Sequence, residues 1–224
     1  KDPSLDLAAP RRDARAVAAM LSSRYAFDEV VVLLDDEASR EGVLTALAGL
    51  TALGADDGLL IFLAGHGTTA TTADGEQLGY LLPWDGSMDE RGQLVHNLSM
   101  EEVRALVGRA VPARHKLMVV DACYSGILTL REPAPLAAHD AAWLADAADQ
   151  PVFQIITAGQ ADQAVLDTGP DGHSVFTGHF LELLEDTPDF ITGSELGVTL
   201  QRRVRAAAYS RGSHQQTPAY GRIS

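Results

Sequence analysis

The chain has little with which to hold a nucleic acid: its 224 residues carry 17 Lys and Arg against 31 Asp and Glu, a net charge of −14. Nucleic-acid binding rests on neutralising phosphates with basic side chains, so that class of partner is excluded. From Glu132 to Gln201 there are twelve acids and no Lys or Arg. Such a stretch reads as solvated surface, or as a field built around a cationic substrate. Cysteine occurs once, which excludes an intrachain disulfide and fits a reducing compartment, so a cytoplasmic location is expected. One cysteine and scattered histidines also give no zinc-ligand cluster. No apolar run approaches the roughly 18 residues of a membrane span. The opening Lys1-Asp-Pro-Ser-Leu5 lacks a signal-peptide layout. There is no Gly-Lys-Ser/Thr phosphate loop, and Gly65-His-Gly67 lacks the third glycine of a dinucleotide fingerprint, Ala70 standing in its place.

What is present is an ordinary apolar content of 46%, laid out as alternating helical and strand-like segments. Pro10 to Tyr25 has helical period through Ala14, Val17, Ala18 and Leu21, and Ser39 to Leu53 through Val43, Leu44, Leu47 and Leu50. Glu29–Leu34, Leu59–Ala64, Lys116–Val120 and Val152–Thr157 are apolar runs of buried-strand length. Ser99-Met-Glu-Glu102 opens a helix with a capping pattern, and Val175–Leu184 and Glu195–Tyr209 are the last helices. Thr68–Gln77, polar and rich in threonine, reads as an exposed loop, and Leu130–Gln150 as a connection with a helix near Trp143. Solid apolar strands alternating with helices predict an α/β chain, one domain over residues 1–224. Its sheet is expected to be mostly parallel, with helices on both faces. In such sheets chemistry gathers at the carboxyl ends of the strands.

Two strand ends carry chemistry. Gly65-His66-Gly67 follows one apolar run at once, and Asp121-Ala-Cys123 follows another. A parallel sheet brings both ends to one rim. A thiol reacts as its thiolate, which a neighbouring imidazole favours either as base or as cation. Glycines beside the histidine allow close backbone approach. Amides at such turns can receive charge developing on a carbonyl oxygen. The bland readings are a loop histidine, as for His96, His115, His139 and His214, and a buried core thiol. Their coincidence at matching strand ends favours a catalytic dyad of His66 and Cys123.

Leu59-Leu-Ile-Phe-Leu-Ala-Gly-His-Gly67 and Leu117-Met-Val-Val-Asp-Ala-Cys-Tyr-Ser-Gly126 resemble the two motifs of the caspase and metacaspase group of cysteine peptidases. Their His and Cys lie 57 residues apart, against about 50 in the family. Fainter similarity runs from Pro10-Arg-Arg-Asp13 to Gln216-Thr-Pro218. The resemblance implies a caspase-like fold and a cysteine endopeptidase. In it Cys123 attacks a peptide carbonyl, His66 moves protons, and the amides of Gly67 and Cys123 form the oxyanion hole. Animal caspases, which cut after aspartate, carry Gln before the Ala-Cys pair, whereas Asp121 stands here. Metacaspases and related bacterial proteins have acid at this place and cut after Arg or Lys. Asp121 is thus expected at the floor of the specificity pocket, joined by Asp162 after the fourth strand, with Asp167 as the substitute for it. Two carboxylates there suit a guanidinium and repel an acid. The alternative for Asp121 is a strand-end acid bonding local amides.

The family's first strand has no counterpart in this sequence, so the chain is expected to be a fragment with an open slot in its sheet. Relatives are often switched on by a cut in the loop after the cysteine-bearing strand, here residues 127–150. Arg131 is the one basic residue between Lys116 and Arg202, which makes it the candidate processing site of a zymogen; the alternative is a surface arginine. No cofactor is expected. Calcium, by analogy with some metacaspases, is the regulator to consider, with oxygens from Asp85, Asp89 and Glu90 in no EF-hand pattern. The expected partners are a protein or peptide substrate with a basic residue at the cut, and an activating protein or protease; neither a membrane nor a nucleic acid is expected. The rival from another class is a catalytically silent caspase-like scaffold. Such a scaffold is expected to have lost the histidine or the cysteine, and both are present.

Overall fold

The computed structural model describes residues 9–122, 149–160, 163–187, 190–212 and 215–223. The chain begins with α1 (Ala9–Arg24), and α2 (Arg40–Gly49) follows a short 3-10 turn. Next come β1 (Gly58–Ala64), β2 (His66–Thr71), β3 (Gln77–Leu82), β4 (Ser87–Met88), β5 (Leu94–Val95) and β6 (Leu98–Ser99). After α3 (Met100–Ala105) and a π-helical turn come β7 (His115–Asp121) and β8 (Val152–Thr157). The last elements are α4 (Val175–Asp186), α5 (Gly193–Ser210) and β9 (Ala219–Arg222).

The main sheet runs β1-β7-β8-β9. β1, β7 and β8 are parallel, as their unbroken apolar runs predict, while β9 closes the sheet antiparallel to β8. Side chains of β7 alternate between two cores. Val119 joins Val17, Phe176, Phe180 and Leu200 beneath α1, α4 and α5. Met118 and Val120 join Leu47, Met100 and Val103 beneath α2 and α3. The sheet is therefore covered on both faces, and the described residues have the mostly parallel α/β architecture expected from the sequence. Phe180 stacks on Phe62 of β1 and on Phe176, with ring centroids 6.1 and 6.5 Å apart.

Several segments depart from the sequence-based expectation. Residues 29–34 form no strand, and Val31 is 66% exposed. A strand needs a neighbour for its amides and carbonyls, and no described strand lies on the free side of β1, whose residues stay half-buried or exposed. The expected loop 68–77 is mostly hairpin: β2 pairs with β3 from His66–Leu82 to Thr71–Gln77. Threonine tolerates the pleated, half-buried surface better than its polarity suggests. The helix expected near Trp143 lies outside the described residues. Among the described residues no helix is long and apolar enough to cross a membrane.

Local chemistry sets the helix ends. Ser39, Ser99 and Ser174 each accept an early backbone amide of the helix they open, and Thr192 with Glu195 forms a capping box at α5. A Cβ at Gly197 would collide with Tyr220, so this glycine is what lets α5 lie on β9. Truncating Phe180, fully buried between two other aromatic rings, is expected to cost about 3–5 kcal/mol. Urea unfolding of Phe180→Ala checks this, and a loss within experimental error would contradict the packing.

Candidate active site

The parallel register sets Ala64 opposite Asp121, so β1 and β7 end flush, and the amide of Gly65 bonds the carbonyl of Asp121 at 3.1 Å. One residue further, His66 starts β2. The strand end that carries Asp121-Ala122 therefore lies beside the one that carries Gly65-His66. Gly67 follows in β2, opposite Leu81. Cys123, Asp162 and Arg131 lie outside the described residues.

A cavity of about 70 Å³ opens at this rim. Its lining includes Gly65 and His66, the acids Asp13, Asp121 and Asp167, and Ser174, beside the apolar Ala9, Pro10, Ala64 and Val165. Asp121 shares the parity of Val119 on β7, so it emerges on the α4 face of the sheet. There its Oδ2 accepts hydroxyls from Ser174 and Thr177, each at 2.5 Å, in the first turn of α4. The Ser174 hydroxyl also accepts the Thr177 amide at 2.8 Å as helix cap. The positive end of the α4 dipole thus faces the carboxylate. Asp121 is 5% exposed, and among the described residues its buried Oδ1 has no hydrogen-bond partner.

Asp13 comes from the first turns of α1. It is 1% exposed, with Oδ1 2.6 Å from His173 Nδ1 and Oδ2 accepting the Ser174 amide at 3.3 Å. Asp167 is exposed at the cavity's edge. Burial pushes the Asp121 carboxyl up to about 6, opposed by the Ser174 and Thr177 hydroxyls and reinforced by Asp13 and Asp167. Burial raises Asp13 as well, opposed by His173, the Ser174 amide and Arg12.

The wall that carries Asp167 is tied to the far end of the sequence. Gln216 is fully buried, accepting the Leu166 amide and donating to the Ala158 carbonyl, both at 3.1 Å. The Gln163 side chain accepts the Thr217 amide at 2.7 Å.

Of the acids named from sequence, Asp121 and Asp167 line this cavity; Asp13 was not foreseen. Its signal is there in the spacing: Ala9, Asp13, Val17 and Leu21, the buried residues of α1, recur every four. A carboxylate on such a stripe needs buried partners. Ser174 and Thr177 were likewise readable only as a cap on an apolar helix. Two of the acids considered for calcium bond backbone amides: Asp85 accepts the Arg40 amide at 2.7 Å, and Asp89 the Arg91 and Gln93 amides at 2.9 and 2.7 Å. No group of metal-ligating side chains occurs among the described residues.

A family model described as the caspase domain matches residues 2–222. Comparison with curated proteins returns no match.

The raised Asp121 has a consequence for stability. Its protonated form is the one the fold favours, so its contribution is complete below about pH 4 and is lost as pH rises through about 6. In urea unfolding, wild type should lose about 3 kcal/mol relative to Asp121→Asn between about pH 4 and pH 7.5. A difference that stays constant with pH would contradict the raised value.

Proposed function

Because the chain belongs to the caspase-domain family of cysteine peptidases, we propose that it is an endopeptidase that cuts proteins or peptides after arginine or lysine, with Cys123 as nucleophile and His66 as its base. The observation that carries the specificity is the acidic cavity beside His66, lined by Asp13, Asp121 and Asp167. Asp162, the expected second acid, lies outside the described residues and stays part of this reading, with Asp13 and Asp167 joining it from the cavity. Asp121 Oδ1, without a partner among the described residues, is the acceptor a guanidinium or ammonium would satisfy. An acidic side chain would meet three carboxylates there and be repelled.

In the proposed reaction, His66 takes the Cys123 proton and the sulfur attacks the carbonyl carbon of the basic residue. The amides of Gly67 and Cys123 receive the charge on the carbonyl oxygen. Collapse breaks the C–N bond, the leaving amine takes the proton from His66, and a thioester remains. Water, giving a proton to His66, then attacks the thioester, and the acid product leaves with the thiol restored. A bound cation keeps Asp121 ionised, so the high carboxyl pKa of the empty cavity falls when substrate enters.

Activation by a cut after Arg131 is part of the same proposal. An enzyme with this specificity has one basic residue to cut between Lys116 and Arg202.

Fluorogenic peptides with Arg, Lys or Asp before the cut, assayed with and without calcium, test the reading. Wild type should cleave the Arg and Lys substrates, Cys123→Ala should cleave none, and Asp121→Asn should lose about a hundredfold in kcat/KM. Cleavage after Asp would overturn the pocket assignment while leaving the dyad. Silence of the wild type towards every peptide would point to a zymogen without its trigger or first strand, or to the scaffold reading. Separately, Arg131→Ala should abolish any intrachain cut at residues 127–150, and an unchanged fragment pattern would refute self-processing there.

A further inference from the structure

His173 touches the cavity only through Asp13. It lines a second depression, a groove between α1 and α4 of about 440 Å³, and its side chain is 14% exposed. Its ring nitrogen Nδ1 lies 2.6 Å from Asp13 Oδ1. An ionised carboxylate only accepts, so with Asp13 charged the imidazole donates at Nδ1. The next residue supplies the rest of the cradle. Ser174 gives its amide to Asp13 Oδ2 and its hydroxyl to Asp121 Oδ2.

The backbone around His173 is pinned before the ring reaches out. Pro170-Asp171-Gly172 form a tight turn in which Asp171 and Gly172 have φ of 51° and 77°. The His173 amide bonds the Pro170 carbonyl at 2.9 Å, and its carbonyl accepts the Gly169 amide at 2.6 Å. Arg12, next to Asp13 on α1, bonds the Gly172 carbonyl from the other side. α1 and this turn are thus fastened to each other at two successive residues of each. The side-chain link between the turn and Asp13 is the His173 ring, beside the backbone bond from Ser174.

We infer that His173 is a positioning residue for cation recognition, holding the Asp13 carboxylate in line with Asp121 so that the two act as one receptor for a guanidinium. The inference rests on the specificity proposed above. Without the ring, Asp13 keeps only the 3.3 Å bond from Ser174, and its side chain is free to turn away from Asp121. Asparagine places an amide N–H close to where Nδ1 stands, so His173→Asn preserves the contact that His173→Ala removes.

Agmatine, which presents the guanidinium without a scissile bond, is the probe, with its Kd measured by calorimetry on the full chain. His173→Ala should weaken binding about tenfold, and His173→Asn should return it to within about threefold of wild type. Asp13→Asn should weaken binding comparably, and adding His173→Ala to it should change little more, because the ring acts through that acid. Circular dichroism and thermal melts confirm that each variant is folded. Should His173→Ala fail to fold, the same comparison is made with His173→Gln, whose longer amide misplaces the donor. Equal affinity in wild type and His173→Ala overturns the inference alone, as does full additivity with Asp13→Asn. A wild type that does not bind agmatine overturns the specificity reading, and the inference with it.

Discussion

A carboxylate buried at the end of a central strand has to be answered, and the way Asp121 is answered organises this end of the molecule. Its β7 position is fixed by parallel pairing on both sides, to β1 and to β8. Its side chain emerges among the apolar residues of the α4 face, where a charge without donors would be costly. The answer is the first turn of α4, whose Ser174 and Thr177 hydroxyls and dipole end meet one oxygen. The other oxygen, buried as well, has no hydrogen-bond partner among the described residues. Half-satisfied burial of this kind costs stability, and a cation in the proposed pocket would relieve it.

The same turn serves the second acid. Ser174 bonds Asp13 through its amide and Asp121 through its hydroxyl, so a displacement of the α4 N-terminus moves both carboxylates together. Arg12 and His173 fasten α1 to the residues just before α4. Two helices and a strand therefore meet at a network of polar contacts rather than through apolar packing alone. Such sites are rigid when all their members are present.

How much of this could be read from the sequence depends on how local each signal is. β1, β7 and β8 appeared as apolar runs, and the motifs after them gave the rim where His66 lies. The β2–β3 hairpin was hidden because alternation of threonine with small residues resembles a loop. β9 was hidden because Ala219–Arg222 is too short to show a period. Segment 29–34 had the composition of a strand, and composition says nothing about whether a neighbour is there to pair with. Asp121 was legible from its place beside the motif cysteine. Asp13 required seeing that a charge sat on the buried stripe of α1, and its link to Asp121 passes through residues some 160 positions away in sequence. Long-range contacts of that sort leave no mark in a local window.

Gln216 carries one more implication, for the order of events during synthesis. The segment behind Asp167 is held by a side chain that follows α5, and β9 after it completes the sheet edge along β8. The acidic cavity thus draws on α1, on the ends of β1 and β7, on the start of α4, and at its back on residues 215–217. Contacts so far apart in sequence form late. A chain made only as far as α5 lacks the Gln216 bonds that hold the Leu166 and Ala158 backbone behind the cavity. In the proposed reading, recognition of a basic side chain waits until residues 215–217 have been made.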